Sequence, residues 1–154
     1  MDFAAAASSL DRRIVPGHSI GHYVLGQDVA GLVASLGPLY GGADLPNDSL
    51  TGYYWPLKRV GAVASRRTHK IVALAVSLDD TYATDGGIGA GVRLDAVRRA
   101  LGPEDAVDPA QSGDMLVYDT LGIAFVVGYA GALEGRVSAV FVLLRGHAHE
   151  IFPL

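Results

Sequence analysis

Gly17-His18-Ser19-Ile20-Gly21 spells G-x-S-x-G. In hydrolases this pattern marks a strained turn between a strand and a helix that exposes a nucleophilic serine to a histidine and an acid. The flanking residues argue against that chemistry. Pro16 limits the preceding strand to a few residues, and helical periodicity does not begin until after Asp28. The stretch reads instead as a lead-in loop bracketed by glycines, and the chain as a protein without a catalytic site.

The sequence holds five histidines. His147 and His149 stand two apart beside Glu150. In an extended C-terminal stretch both imidazoles would point to one side, and neutral imidazole is a favoured zinc donor. His18 and His22 are the other close pair. No H-E-x-x-H signature accompanies them, so solvated surface histidines are the simpler reading. His147 and His149 remain the candidates for a metal-dependent activity. Gly86, Gly87, Gly89 and Gly91 precede a helical segment that begins near Arg93. A helix N-terminus attracts anions, yet the glycines fit no dinucleotide or P-loop fingerprint. The carboxylate pairs Asp79-Asp80 and Glu104-Asp105 fall where turns are expected, and they read as ends of elements. No cofactor is implied.

The elements around these residues carry a clearer message. Asp28 is placed as a helix N-cap, Val29, Leu32, Val33 and Leu36 follow at helical spacing, and Gly37-Pro38 stops the helix. A loop from Gly41 to Asn47 leads to three strand-like runs: 52–57, 60–65 and 71–78. The pattern then restarts. Leu94, Val97 and Leu101 share a helical face, Gly102-Pro103 ends it, and a loop from Glu104 to Gly113 precedes runs at 115–118, 123–129 and 137–144. Gly26 over Gly91, Leu36 over Leu101 and Gly37-Pro38 over Gly102-Pro103 keep one constant offset. Two such units are too few for a solenoid. They predict an α+β domain in which two helix-plus-three-strand meanders share one antiparallel sheet, with the helices on one face. The whole chain, 1–154, is read as one domain: an N-terminal helix over 3–12, repeats over 14–80 and 81–146, and a tail over 147–154.

The lead-in Ile14-Val15-Pro16-Gly17 through Ile20-Gly21 and Leu25-Gly26, the Gly87-to-Gly91 lead-in, the two Leu-Gly-Pro helix stops and the strands at 118–125 and 137–142 carry a resemblance. Over residues 14–144 the chain resembles the small bacterial proteins related to the assembly lipoprotein BamE (SmpA/OmlA). It is also similar to the tandem-repeat β-lactamase inhibitory proteins. The resemblance implies helices on one face of an antiparallel sheet. It also implies exported proteins that act by binding other proteins. An extracytoplasmic location follows from likeness only. The chain has no lipobox cysteine, and Met1-Asp2-Phe3-Ala4 lacks the basic start of a signal peptide.

Composition narrows the partners. Half of the 154 residues are hydrophobic and 18% are charged, with a net charge of −4. That balance favours a folded core. The basic residues cluster only in pairs, Arg12-Arg13, Arg66-Arg67 and Arg98-Arg99, which excludes the basic stripe of a nucleic-acid binder. There is no cysteine, so disulfides and thiolate metal sites are excluded. No apolar run reaches membrane-spanning length.

The strands at 71–78 and 137–144 are apolar on both faces. A two-layer domain needs only one apolar face, so something must cover the second: the N-terminal helix, a second copy, a partner protein or an apolar ligand. Tyr53-Tyr54-Trp55, with Tyr118 and Tyr129 on neighbouring strands, are the aromatic candidates to anchor a contact. The function expected is a non-catalytic protein-interaction module, with a homodimer as one form of the contact. A binder of a small apolar molecule is the alternative.

Overall fold

The computed structural model describes residues 12–43, 45–109 and 113–152. The architecture is α+β and mostly antiparallel. Three two-residue strands, β1 (Ile14–Val15), β2 (Ser19–Ile20) and β3 (Tyr23–Val24), make a small meander. Helix α1 (Val29–Leu36) follows, then β4 (Gly41–Ala43), β5 (Leu50–Trp55), β6 (Val60–Ser65) and β7 (Ile71–Ser77). Helix α2 (Leu94–Leu101) leads to β8 (Ala106–Pro109), β9 (Gly113–Tyr118), β10 (Ile123–Gly128) and β11 (Val137–Leu143). A short helical turn, α3 (Ala148–Ile151), closes the described chain. Strands β4 to β11 form an eight-stranded sheet in the order β4-β5-β6-β7-β11-β10-β9-β8. The order runs inward from β4 to β7 on one side and from β8 to β11 on the other. The two series meet where β7 pairs antiparallel with β11.

The six longer strands and both eight-residue helices lie within two residues of the positions expected from periodicity. Four expectations need correction. There are two sheets, because the lead-in read as a loop forms the small meander. The loop at 41–47 contains edge strand β4, and the loop at 104–113 contains edge strand β8. The C-terminal stretch is helical at 148–151, not extended. Strands of two to four residues carry too little periodicity to announce themselves, even though each pairs with the next segment of the chain. The N-terminal helix expected over 3–12 lies, apart from Arg12, outside the described residues.

The helix ends show how local sequence becomes long-range structure. Asp28 is the N-cap of α1 but makes no side-chain cap bond. Its carboxylate instead meets Lys70 Nζ at 2.8 Å, beside β7. At the other end, carbonyls freed by helix termination need donors. Gly37 O accepts a hydrogen bond from Trp55 Nε1 at 2.9 Å, and Gly102 O accepts one from the Tyr118 hydroxyl at 2.9 Å. Each helix is therefore pinned by the aromatic residue that ends the second strand after it. The helix starts are hooked in the same manner. Gly26 N donates to Ile71 O and Ile71 N to Gln27 O at the start of β7. Gly91 N donates to Val137 O and Val137 N to Val92 O at the start of β11.

Both faces of the sheet are apolar, and the two faces hold different clusters. Leu32 and Leu36 of α1 and Val97 of α2 bury with Trp55, Leu74, Val76, Leu116, Phe125, Val140 and Val142 on one face. Ala148 and Ile151 of α3 and the following Phe152 bury with Leu50, Val63, Ala73, Val117, Ala124 and Leu143 on the other. The C-terminal segment thus covers part of the second face, an occupant that strand composition did not suggest. Strict alternation also misplaces two residues. Pairing shifts between Val63 and Ala64 of β6, and again between Val126 and Val127 of β10. These bulges put Ile71 and Val137 on the helix side, although a period of two assigns them to the opposite face.

Gly122 joins the small meander to the sheet. Its carbonyl accepts a bond from Gly17 N at 3.0 Å, and it sits at φ +79° in the turn before β10. A Cβ there would lie 2.5 Å from Leu143 O and 2.6 Å from Gly17 Cα. Gly122→Ala should lose at least about 2 kcal/mol in urea unfolding, because left-handed strain adds to a clash with backbone that cannot move aside. At Gly61, mid-strand in β6, an added Cβ meets nothing closer than 3.4 Å. Gly61→Ala should stay within about 0.5 kcal/mol of wild type or exceed it; equal losses at the two positions would refute this account.

Candidate functional site

The second sheet face carries an open trough beyond the reach of α3. One cross-strand row reads Tyr54, Gly61, Ala75, Phe141 across β5, β6, β7 and β11. The row beside it pairs Ser77 with Ala139. Small side chains make the floor, and Tyr54 and Phe141 stand at its two sides. The cleft measures about 220 Å³, and Leu45, Val63 and Arg59 complete the wall. Phe141 is braced edge-on by Phe152 at 5.4 Å, so the C-terminal segment fixes that side. Tyr54 is 43% exposed. The trough exists because glycine and alanine occupy successive strands where larger residues would fill the face, as Leu143 and Val117 do nearer α3.

The aromatic candidates divide. Trp55 and Tyr118 are buried on the helix side, 1% and 2% exposed, and their polar atoms serve the helix ends. Burial, with the charges of Glu104 and Asp105, pushes the Tyr118 hydroxyl up against the opposing pull of Arg98, which keeps it a neutral donor. Tyr53 is half-buried on the same side, in a ring cluster with Tyr40 at 5.5 Å and Trp55 at 6.1 Å. Tyr129 is exposed, and its hydroxyl donates to Asp114 Oδ1. Of the five, Tyr53 and Tyr54 line the trough, and Tyr54 is the one on the second face of the sheet. Adjacent strand residues point to opposite faces, so the Tyr53-Tyr54-Trp55 run is split by the sheet itself.

The chemistry-bearing motifs take up structural positions. Ser19 lies in β2, inside the small meander, with His18 Nδ1 3.0 Å from its Oγ. The chain continues into the Gly21-His22 turn and β3, so no helix follows the serine as the hydrolase turn requires. His147 and His149 flank the first residue of α3; successive helical positions two apart lie on roughly opposite sides. His147 Nδ1 pairs with Glu150 Oε2 at 2.8 Å, and His149 is exposed. His22 packs against Tyr23, with ring centroids 4.3 Å apart and the planes tilted by 47°. Among the described residues no three metal-ligating side chains converge. Arg93 is the α2 N-cap, close to Asp95 at 3.6 Å. For Asp79, burial raises the pKa, but hydrogen bonds from Thr81 and the charges of Arg12 and Arg59 outweigh it and the net shift is downward. Asp105 accepts bonds from the Thr120 amide and hydroxyl. Arg98 grips Glu104 with two hydrogen bonds, 3.0 and 2.7 Å, just past α2. Those bonds hold the Glu104 carboxyl below its ordinary range in spite of burial.

No family model and no curated protein matches the sequence. Solved structures that share the fold include two of bacterial origin. One is a cysteine-rich secretory protein (SAV1118) from Staphylococcus aureus subsp. aureus Mu50, at TM-score 0.52 and 13% identity over 87% of this chain. This chain spans about half of that one, 49%. The other is the uncharacterized protein yfeY from Escherichia coli, at TM-score 0.51 and 13% identity, covering 86% of this chain and 97% of that one. At such identity the likeness speaks to fold. Among the described residues no helix is long and apolar enough to cross a membrane.

A lowered carboxyl pKa contributes stability that is present above the unfolded-state value and is lost as pH falls through the folded one. Glu104→Gln should therefore lower the urea midpoint at neutral pH. The gap from wild type should close as pH falls from the unfolded-state glutamate value through the lowered folded-state one, where Glu104 becomes as neutral as glutamine. A gap independent of pH would mean that the Arg98–Glu104 pair contributes packing and no charge stabilisation.

Proposed function

We propose that this protein is a non-catalytic interaction module that binds another protein through the second face of its large sheet. The observation that carries this reading is the trough at Tyr54. It is an apolar cleft on an otherwise well-buried sheet, walled by two aromatic rings and left uncovered by the described residues of the C-terminal segment. Large exposed side chains border the same region of the fold, with Leu57 and Leu78 at 80% and 52% exposure in the turns at the ends of β5 and β7. Apolar surface of this kind, with aromatic anchors, is what binding contacts are built from. A binder of a small apolar molecule is the second reading, favoured by the concave shape of the same cleft.

We further infer that residues 14–80 and 81–146 are two copies of one unit sharing the large sheet. The symmetric strand order, the paired helix-end bonds from Trp55 and Tyr118, the paired hooks at Gly26 and Gly91, and the repeated bulge support this. A duplicated meander with helices on one face is the architecture implied by the resemblance to BamE-related and β-lactamase inhibitory proteins. On this reading the first copy supplies most of the trough.

A photo-crosslinking residue at Tyr54 tests the contact in the producing cell. Position 54 should yield a discrete protein adduct, and position 99, exposed on α2 on the far side of the sheet, should not. The adduct should vanish in a Gly61→Leu background, which fills the floor. Equal labelling at both positions would sink the proposal. An apolar compound that co-purifies with wild type and is lost from Gly61→Leu would move the function to small-molecule binding.

A further inference from the structure

Among the residues that line the trough, Arg59 alone carries a formal charge. It lies in the turn between β5 and β6 and is exposed. Its backbone is left-handed, at φ +57°. The matching position of the second half, where Leu143 N bonds Gly122 O as Ser77 N bonds Arg59 O, is a glycine at φ +79°. Glycine adopts this conformation without strain, and an arginine does not. The first half therefore keeps a long cationic side chain where glycine is the easier residue. The guanidinium donates one hydrogen bond, from Nη1 to Leu78 O at 2.9 Å. That bond anchors it at the cleft wall, and among the described residues its other donors make no hydrogen bond. Among the described residues no carboxylate lies within ion-pair distance of it. Asp79 feels its charge but is held by Thr81 and Arg12.

An apolar trough with one unpaired guanidinium at its wall specifies the chemistry of its occupant. We propose that the trough binds a segment of a partner protein in which a large apolar side chain lies beside an aspartate or glutamate. The apolar side chain seats on Gly61 and Ala75 between Tyr54 and Phe141, and the carboxylate pairs with Arg59. Guanidinium forms two parallel bonds to carboxylate, which fixes orientation as well as charge. This inference rests on the interaction reading above and adds the identity of the bound segment.

The test is selection of a display library of random twelve-residue peptides on the full chain. Enriched peptides should share a large apolar residue within three positions of an acid. Their affinity should fall about tenfold on Arg59→Ala, survive largely in Arg59→Lys, weaken with added salt, and disappear in Gly61→Leu. Ala75→Leu fills the same floor from the neighbouring strand and should abolish binding too, which keeps the test decisive if Gly61→Leu unfolds. Enriched peptides that lack an acid, or that bind Arg59→Ala as well as wild type, would overturn the assignment of Arg59 and leave the protein contact standing. No enrichment, with dodecanoate binding wild type but neither filled variant, would overturn both in favour of a small amphiphile. Peptides that bind the filled variants unchanged would remove the trough as the site.

Discussion

The antiparallel pairing of β7 with β11 is the joint on which this molecule depends. Five residue pairs, from Ala139 with Ser77 to Leu143 with Ala73, connect the β4-to-β7 and β8-to-β11 series into one sheet. Both strands lie at the centre, so their backbone groups are satisfied on both edges and both of their faces must shed water. The same strands receive the helix lead-ins, through Gly26 on Ile71 and Gly91 on Val137. Breaking this joint would expose two long apolar edges and release the anchors of both helices together. That is the physical reason residues 71–77 and 137–143 contain no charged residue and no proline.

The helix-end and lead-in bonds recur on both sides of that joint, and the segments added to each side differ. The small meander precedes the first half and docks on the turn of the second through Gly17 and Gly122. The second half is followed by α3, which crosses the outer face and buries Ala148, Ile151 and Phe152. These segments leave the two ends of the outer face unequally covered. The outer face over Leu143, Val117 and Ala124 is covered, whereas among the described residues the face over Gly61, Ala75 and Ala139 stays open. The trough is thus a product of uneven covering as much as of small residues.

Much of the core was legible in advance because it depends on period. Helical spacing marked Leu32, Leu36 and Val97, and apolar runs marked the six longer strands. The Gly-Pro stops gave the helix ends because glycine reaches the dihedrals that terminate a helix and proline cannot continue one. The readings that failed share a cause. Edge strands β4 and β8 and the small meander are too short to show a period of two, although each pairs with its neighbour in the chain. The bulges at Val63 and Val126 shift the pairing by one residue, which no alternation rule contains. For the site, the sequence offered Tyr53, Tyr54, Trp55, Tyr118 and Tyr129 as a group, but it had no means to say which side of the sheet each ring would take. Arg59 went unnoticed because its signal, a left-handed dihedral beside an apolar cleft, is geometric.

The sequence by itself determined that this is an α+β chain with a large apolar core, two helices of similar design and strands too apolar to face water on either side. Those properties follow from composition and short-range periodicity, which local sterics and the hydrophobic effect translate directly into structure. Only the tertiary structure decided that Trp55 and Tyr118 close the helix ends, that the C-terminal residues cover part of the outer face, and that Tyr54, Phe141 and Arg59 border the trough beside it. Those are outcomes of distant segments meeting, and each depends on register, bulges and strand order, which residue spacing along the chain does not encode.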